Sequence, residues 1–203
     1  MLVLIMSPLL SSCILIDNQD YPSGWPAVEP ASLGQCPNLV GRFRNSGIKD
    51  SPEIQDITLT SAFLCWSPDY SCEKEMDYAG YLYAEIKQLD SDTLTFSGLN
   101  LNLSITKTRD FILNRENSWT SWALLVAGED VSGYKCASGG LQLKQDSFAM
   151  EPGSFLFGTD TREFFNANNR DLIMKKSVGS YGFILGIPLY SHHRHWFRWS
   201  PRD

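Results

Sequence analysis

Apolar and polar residues alternate through much of this chain at a spacing of two. The longest such run sets Leu99, Leu101, Leu103 and Ile105 against Asn100, Asn102, Ser104 and Thr106. In extended backbone, successive side chains point to opposite faces, so this alternation predicts a strand with the four aliphatics on one buried face. Leu39 to Arg44 reads as a first strand, closed by the turn residues Asn45-Ser46-Gly47. Tyr81 to Leu89 reads as another, ending in Asp90-Ser91-Asp92, after which Leu94 and Phe96 alternate with threonines. Phe111 to Arg115 continues a meander beyond Arg109-Asp110. Tyr134 to Cys136 and Leu141 to Lys144 form a predicted hairpin across Ser138-Gly139-Gly140. Ser154 to Phe157, Arg162 to Phe165, Asp171 to Lys175, Ser180 to Ile187 and Trp196 to Trp199 complete the strand candidates, with an asparagine-rich turn over Asn166 to Arg170.

Two segments are ambiguous by period. Ile57 to Leu64 suits a strand or a short helix, and Trp119 to Ala127 is continuously apolar, as in a buried strand or a short helix. No long amphipathic helix is evident, and no repeat of 20–50 residues suggests a solenoid or propeller. Roughly ten short strands with frequent turns predict a mainly β fold. The expectation is a single antiparallel β-barrel or sandwich domain over residues 36–203, lipocalin-like in general architecture. Hydrophobic residues make up 43% of the chain, enough for one domain with a real core.

The first 35 residues read differently. Residues 1–16 carry no charged side chain, and the apolar run is too short to cross a hydrocarbon core, which needs about 20 residues. Its length and its small terminal residues match a secretion signal, although no Lys or Arg precedes it. Pro22, Pro26 and Pro30 follow among Ser, Asp, Asn and Gly24. Such a stretch, residues 17–35, is expected to be an extended, semi-rigid spacer, with Trp25 the residue able to fold back on the domain.

Leu10-Ser11-Ser12-Cys13 resembles the lipobox of bacterial lipoproteins: an aliphatic residue, two small ones, then cysteine. Cys36-Pro-Asn-Leu39-Val-Gly41-Arg-Phe43-Arg-Asn45-Ser-Gly47 is similar to a pattern near the start of small proteobacterial envelope lipoproteins. The resemblance implies removal of residues 1–12 as a signal peptide, acylation of Cys13, and a lipid-anchored tether over residues 13–35. It implies a bacterial envelope location, with the membrane as a partner through Cys13. Ile14, where an Asp would favour inner-membrane retention, implies the outer membrane, with the domain in the periplasm.

With Cys13 set aside, four cysteines remain: Cys36, Cys65, Cys72 and Cys136. An even number in an exported protein suggests two disulfides. Of the three pairings, Cys65–Cys72 with Cys36–Cys136 is favoured, since the first closes a short loop and the second staples the domain start to a central strand. A cysteine zinc site is not expected, because no Cys-x-x-Cys occurs.

Net charge is −6, which leaves no broad basic face for a polyanion, so no nucleic-acid partner is expected. All three histidines lie in His192-His193-Arg194-His195. In extended backbone His193 and His195 share a face and become weak candidates for metal ligands, though Arg194 between them would repel a cation. Arg194, Arg198 and Arg202 interleave with Trp196, Phe197 and Trp199, a local basic and aromatic reversal that could contact an anion or a lipid headgroup. Gly-x-Ser-x-Gly, His-Glu-x-x-His, Gly-x-Gly-x-x-Gly and the P-loop are absent, so neither a catalytic residue nor a cofactor is assigned. The expected role is a non-enzymatic module that binds an envelope protein or a small ligand. The alternative is an envelope hydrolase using His193 or His195 with a carboxylate.

Overall fold

The computed structural model describes residues 13–29, 31–32, 35–53, 56–65, 80–114, 131–151 and 154–202. The fold is mainly β. The elements are β1 (Cys13–Asn18), β2 (Val28–Glu29), β3 (Gly41–Arg44), β4 (Ile48–Lys49), α1 (Leu59–Leu64), β5 (Tyr83–Gln88), β6 (Thr93–Leu99), β7 (Ile105–Leu113), β8 (Val131–Ala137), β9 (Gly140–Glu151), β10 (Ser154–Ala167), β11 (Leu172–Ile184) and β12 (Ile187–Trp199). The strands form one sheet in the order β1-β12-β11-β10-β9-β8-β7-β6-β5-β3, with β2 on β10 and β4 on β12. Pairing is antiparallel except for β1 with β12 and β7 with β8.

The ladder does not close, but the sheet curls until its ends touch. Past β12, a single bridge joins Pro201 to Phe43 of β3. The Arg44 N–H donates to the Ser200 carbonyl (3.1 Å) and the Arg202 N–H to the Arg42 carbonyl (2.8 Å). The domain is therefore barrel-like.

Its interior is filled by α1, all six of whose residues are buried. Phe63 stacks between Phe96 and Phe164, each 4.3 Å away by ring centroid, and meets Phe111 edge-on. A buried helix needs partners for its free backbone groups. At the N-terminus the Thr58 hydroxyl accepts from the Ser61 N–H, and Asn45 Oδ1 accepts from the Thr60 N–H and hydroxyl. Near the C-terminus Arg162 Nη1 donates to the carbonyls of Ser61 and Ala62. The ambiguous segment around residue 60 is thus a helix because the barrel wall supplies both ends.

The four longest strands, β9 to β12, extend beyond this core. Their near halves carry Leu141, Leu143, Phe164, Leu172, Met174, Phe197 and Trp199 inward. Segments expected as separate strands, such as Ser154–Phe157 and Arg162–Phe165, are two halves of one strand. The β8–β9 turn lies at Ser138 and Gly139, where φ is +53° and +75°, as a two-residue hairpin requires.

The alternating run at 99–105 is not one strand. Leu99 ends β6, buried, and Ile105 opens β7, exposed. Between them the chain turns. Asn100 Oδ1 accepts the N–H groups of Asn102 and Ser104, and Leu103 adopts φ +60°. Side-chain capture of the backbone by Asn100 overrides the alternation, which leaves Leu101 69% exposed. Leu99→Ala should cost about 2–5 kcal/mol, as large-to-small core changes do. Leu101→Ala should stay within about 0.5 kcal/mol, the range of ordinary surface changes. Urea melts separate the two, and equal losses would refute the turn.

The stretch expected as a spacer is laid against the domain. β1 pairs with β12, β2 pairs with the end of β10, and Tyr21, Trp25 and Val28 pack on Phe165, Ile173 and Trp196 of the outer sheet face. An outward apolar patch on β10–β12 gives these residues somewhere to bury, which prolines in the sequence do not forbid. Cys36 and Cys136 are disulfide-bonded, with Cα atoms 4.9 Å apart. Cys65 is also disulfide-bonded; Cys72, its expected partner, lies outside the described residues, as do residues 1–12 and Trp119 to Ala127.

Candidate functional site

β12 is the strand on which the sequence candidates fall, and its register sorts them by face. His193 and His195 share a face with the core residues Phe197 and Trp199, while His192, Arg194, Trp196 and Arg198 point to the other. Arg194 therefore does not stand between the two imidazoles. On one edge of β12, β1 places Asp17 directly opposite His193. Asp17 Oδ2 lies 4.0 Å from His195 Nε2. From the turn after β4, Asp50 Oδ1 lies 4.0 Å from His195 Nδ1. Ligand atoms of Asp17, His193 and His195 all fall within 4.8 Å of one another.

Asp50 is held by its neighbours. Its Oδ2 accepts the Trp196 N–H at 2.7 Å, and its side chain is 3% exposed. Burial pushes its carboxyl pKa up, against the opposing pull of that hydrogen bond and of His195. Asp50 Oδ1 and His195 Nδ1 are both buried, and neither has a hydrogen-bond partner among the described residues. On β11, Lys176 is opposite His195, with its ammonium 3.9 Å from Asp160 Oδ2. His192 is engaged elsewhere, its Nδ1 2.7 Å from Asn18 Oδ1 on the opposite face.

The second feature is the far end of the extended sheet. β1 begins at Cys13, which pairs with Leu189, close to the β11–β12 hairpin tip. That tip is apolar and open: Ile184, Leu185 and Ile187 are exposed, Leu185 by 81%. On the outer face Phe155, Phe157, Phe183 and Tyr181 form a cross-strand ladder, with Phe157 stacked on Tyr181 at 5.2 Å. Tyr190 and Ile16 extend this exposed apolar surface on the same face, while Leu15 is exposed on the other. Most of these residues lie in predicted strands, but only the pairing shows that they collect at the end where Cys13 lies.

The three arginines are not brought into one patch. Arg198 lies over the Trp25 ring (5.3 Å) beside Asp171, and Arg202 lies over Tyr83 (4.0 Å) on β5. A pocket of about 570 Å³ opens between the 21–28 segment and the sheet, lined largely by Tyr21, Trp25, Phe165 and Trp196. It contains neither His193 nor His195.

Asp17 and Asp50 are the site residues that sequence reasoning missed. Asp17 sat in a presumed spacer, and parallel pairing of the two ends of the chain leaves no local signal. A comparison of the chain with family models, curated proteins and solved structures finds no match.

Proposed function

We propose that this protein is a membrane-anchored envelope lipoprotein, held by lipid on Cys13, whose β-domain is a non-enzymatic binding module seated close to the bilayer of the outer membrane. One observation carries the reading. The cysteine of the lipobox-like sequence opens β1 at the same end of the sheet as the exposed apolar tip Ile184-Leu185-Gly186-Ile187. A lipid chain on Cys13 and an apolar hairpin tip would enter the same surface. One acyl chain gives marginal membrane binding, and a second apolar contact adds to it. Two further findings favour a binding role. The barrel interior is filled by α1, and the outer face offers an open apolar sheet.

Fractionation of cells expressing the full chain tests this. Wild type should sediment with membranes, and Cys13→Ser should shift mobility and move most of the protein to the soluble fraction. Leu185→Asp in the Cys13→Ser background should remove the residual vesicle binding, because a charge at the tip opposes insertion. Cys13→Ser protein with unchanged mobility and fractionation would overturn the lipid anchor. Unchanged vesicle binding by the double variant would overturn the role of the tip.

A further inference from the structure

We infer that Asp17, His193 and His195 form a divalent-metal site, with Asp50 as the group that orients His195. The inference is independent of the lipid anchor. Two imidazoles and one carboxylate on one face are the donor set that zinc and its late first-row neighbours accept, usually with a further position left to water. The donors come from two strands that pair rigidly: His193 and His195 alternate on β12, and β1 sets Asp17 opposite His193. Arg194, the objection raised by the sequence, faces the other side of the sheet. Lys176 and, one strand further, Arg162 are cations on the same face, and Asp160 lies 3.9 Å from the Lys176 ammonium and 2.8 Å from Arg162 Nη2.

A second, separate observation points to a ligand. His195 has carboxylates on both sides, at Nε2 and at Nδ1, each 4.0 Å away. The inner pair, Asp50 Oδ1 and His195 Nδ1, is buried without a hydrogen-bond partner among the described residues. Buried polar groups left unmade are costly, and they are common where a missing species completes them. A metal on Nε2 fixes the proton on Nδ1, and that N–H is then donated to a carboxylate. This is the carboxylate–histidine–metal arrangement seen at many zinc sites. Asp50 is placed for that task, and its own position is fixed by the Trp196 N–H.

The geometry needs only local adjustment. Donor atoms within 4.8 Å of one another must close to about 3.3 Å around a zinc whose ligands sit at about 2.0 Å. Asp17 is 51% exposed, and turning it inward gives up only an exposed hydrogen bond that its Oδ1 accepts from Gln19 Nε2. The same exposure leaves the open position facing solvent, so the ion would exchange and carry water.

Zinc is the probe, titrated by calorimetry into the full-length protein in detergent, purified without a histidine tag. The expected result is one zinc per chain. His193→Ala and Asp17→Asn should each weaken binding by more than the roughly 10–100-fold typical of losing an outer partner, and Asp50→Asn should weaken it by about that amount. His192→Ala should bind as wild type, because His192 faces Asn18 on the other side of the sheet. Zinc should also raise the melting temperature of wild type and of His192→Ala, since a ligand that binds only the folded state stabilises it. Asp17→Asn is isosteric and exposed, so its folding is not at issue. Equal losses for His192→Ala and His193→Ala would mean that a histidine-rich strand binds zinc without a built site. That outcome, an unaffected Asp17→Asn, or no stoichiometric binding by wild type would each overturn the inference.

Discussion

Arg162→Met should destabilise the protein by about 3 kcal/mol, the low end for removing one partner of a buried ion pair, because the Asp160 carboxylate is partly exposed. Arg162 lies on β10, 4% exposed, and touches two things at once. Its Nη1 satisfies the Ser61 and Ala62 carbonyls of α1, and its Nη2 lies 2.8 Å from Asp160 Oδ2. Methionine replaces the volume but leaves the Ala62 carbonyl without its Arg162 donor, takes one of two donors from the Ser61 carbonyl, which keeps the Cys65 N–H, and leaves the part-buried Asp160 carboxylate with Lys176 as its remaining cation. Lysine keeps the charge yet cannot reproduce the planar fork, so Arg162→Lys should fall between. The pH dependence identifies the cause. Burial pushes the Asp160 carboxyl up, but the Arg162 and Lys176 charges outweigh this and hold it below the usual carboxylate range. A lowered folded pKa contributes stability above the unfolded value, near 3.9, and loses it as pH falls through the folded one. The gap between wild type and Arg162→Met should therefore narrow in acid. Urea melts across pH test this, and a gap that stays constant would mean that the loss comes from packing and the α1 carbonyls, with no share from the Asp160 pair.

Replacing Cys36 and Cys136 together by serine should cost somewhat more, about 4 kcal/mol. The bridge spans a sequence separation of 100, and closing a loop of that size restricts the unfolded chain by up to about 4.7 kcal/mol. It ties the residues leading into β3 to β8, close to where the Ala31 N–H donates to the Gly139 carbonyl. The pair is thus a staple between the start of the barrel and its middle. Denaturant melts of the double variant beside wild type give the difference directly. A loss under about 1 kcal/mol would show that the unfolded chain is already held compact without the bridge.

The strand content was legible because β structure here is amphipathic at short range. The Gly-containing turn after β8, the Leu94 and Phe96 alternation of β6 and the apolar ends of β12 all carry their own signal. The Leu99 to Ile105 run misled for an equally local reason: Asn100 organises a turn whose flanking leucines happen to alternate. What could not be read was long-range. Alternation does not say that β9 to β12 run on past the core, nor that α1 sits inside the barrel. It gives His193 and His195 a shared face, yet only the parallel β1–β12 ladder brings Asp17 to them, and only the chain after β4 brings Asp50. Half of the candidate metal site was therefore visible as a spacing, and the half supplied by the two acids was not.

The edge of β12 has a consequence for how the molecule is made. It accepts β1 and β4 in succession, and the residues just past it reach β3. All three partners come from the first quarter of the chain, whereas β12 begins at Ile187. During synthesis the early strands emerge long before anything they can pair with exists. Leu15, Ile16 and the open edge of β3 must wait for the last residues, so assembly is fixed to the completion of the chain. The delay leaves an unpaired apolar strand beside the cysteine proposed to carry lipid, an edge on which another chain could add itself. Synthesis rate and tethering to a surface, which keeps neighbouring copies apart or crowds them, would then govern the yield of correctly closed protein as much as its final stability does.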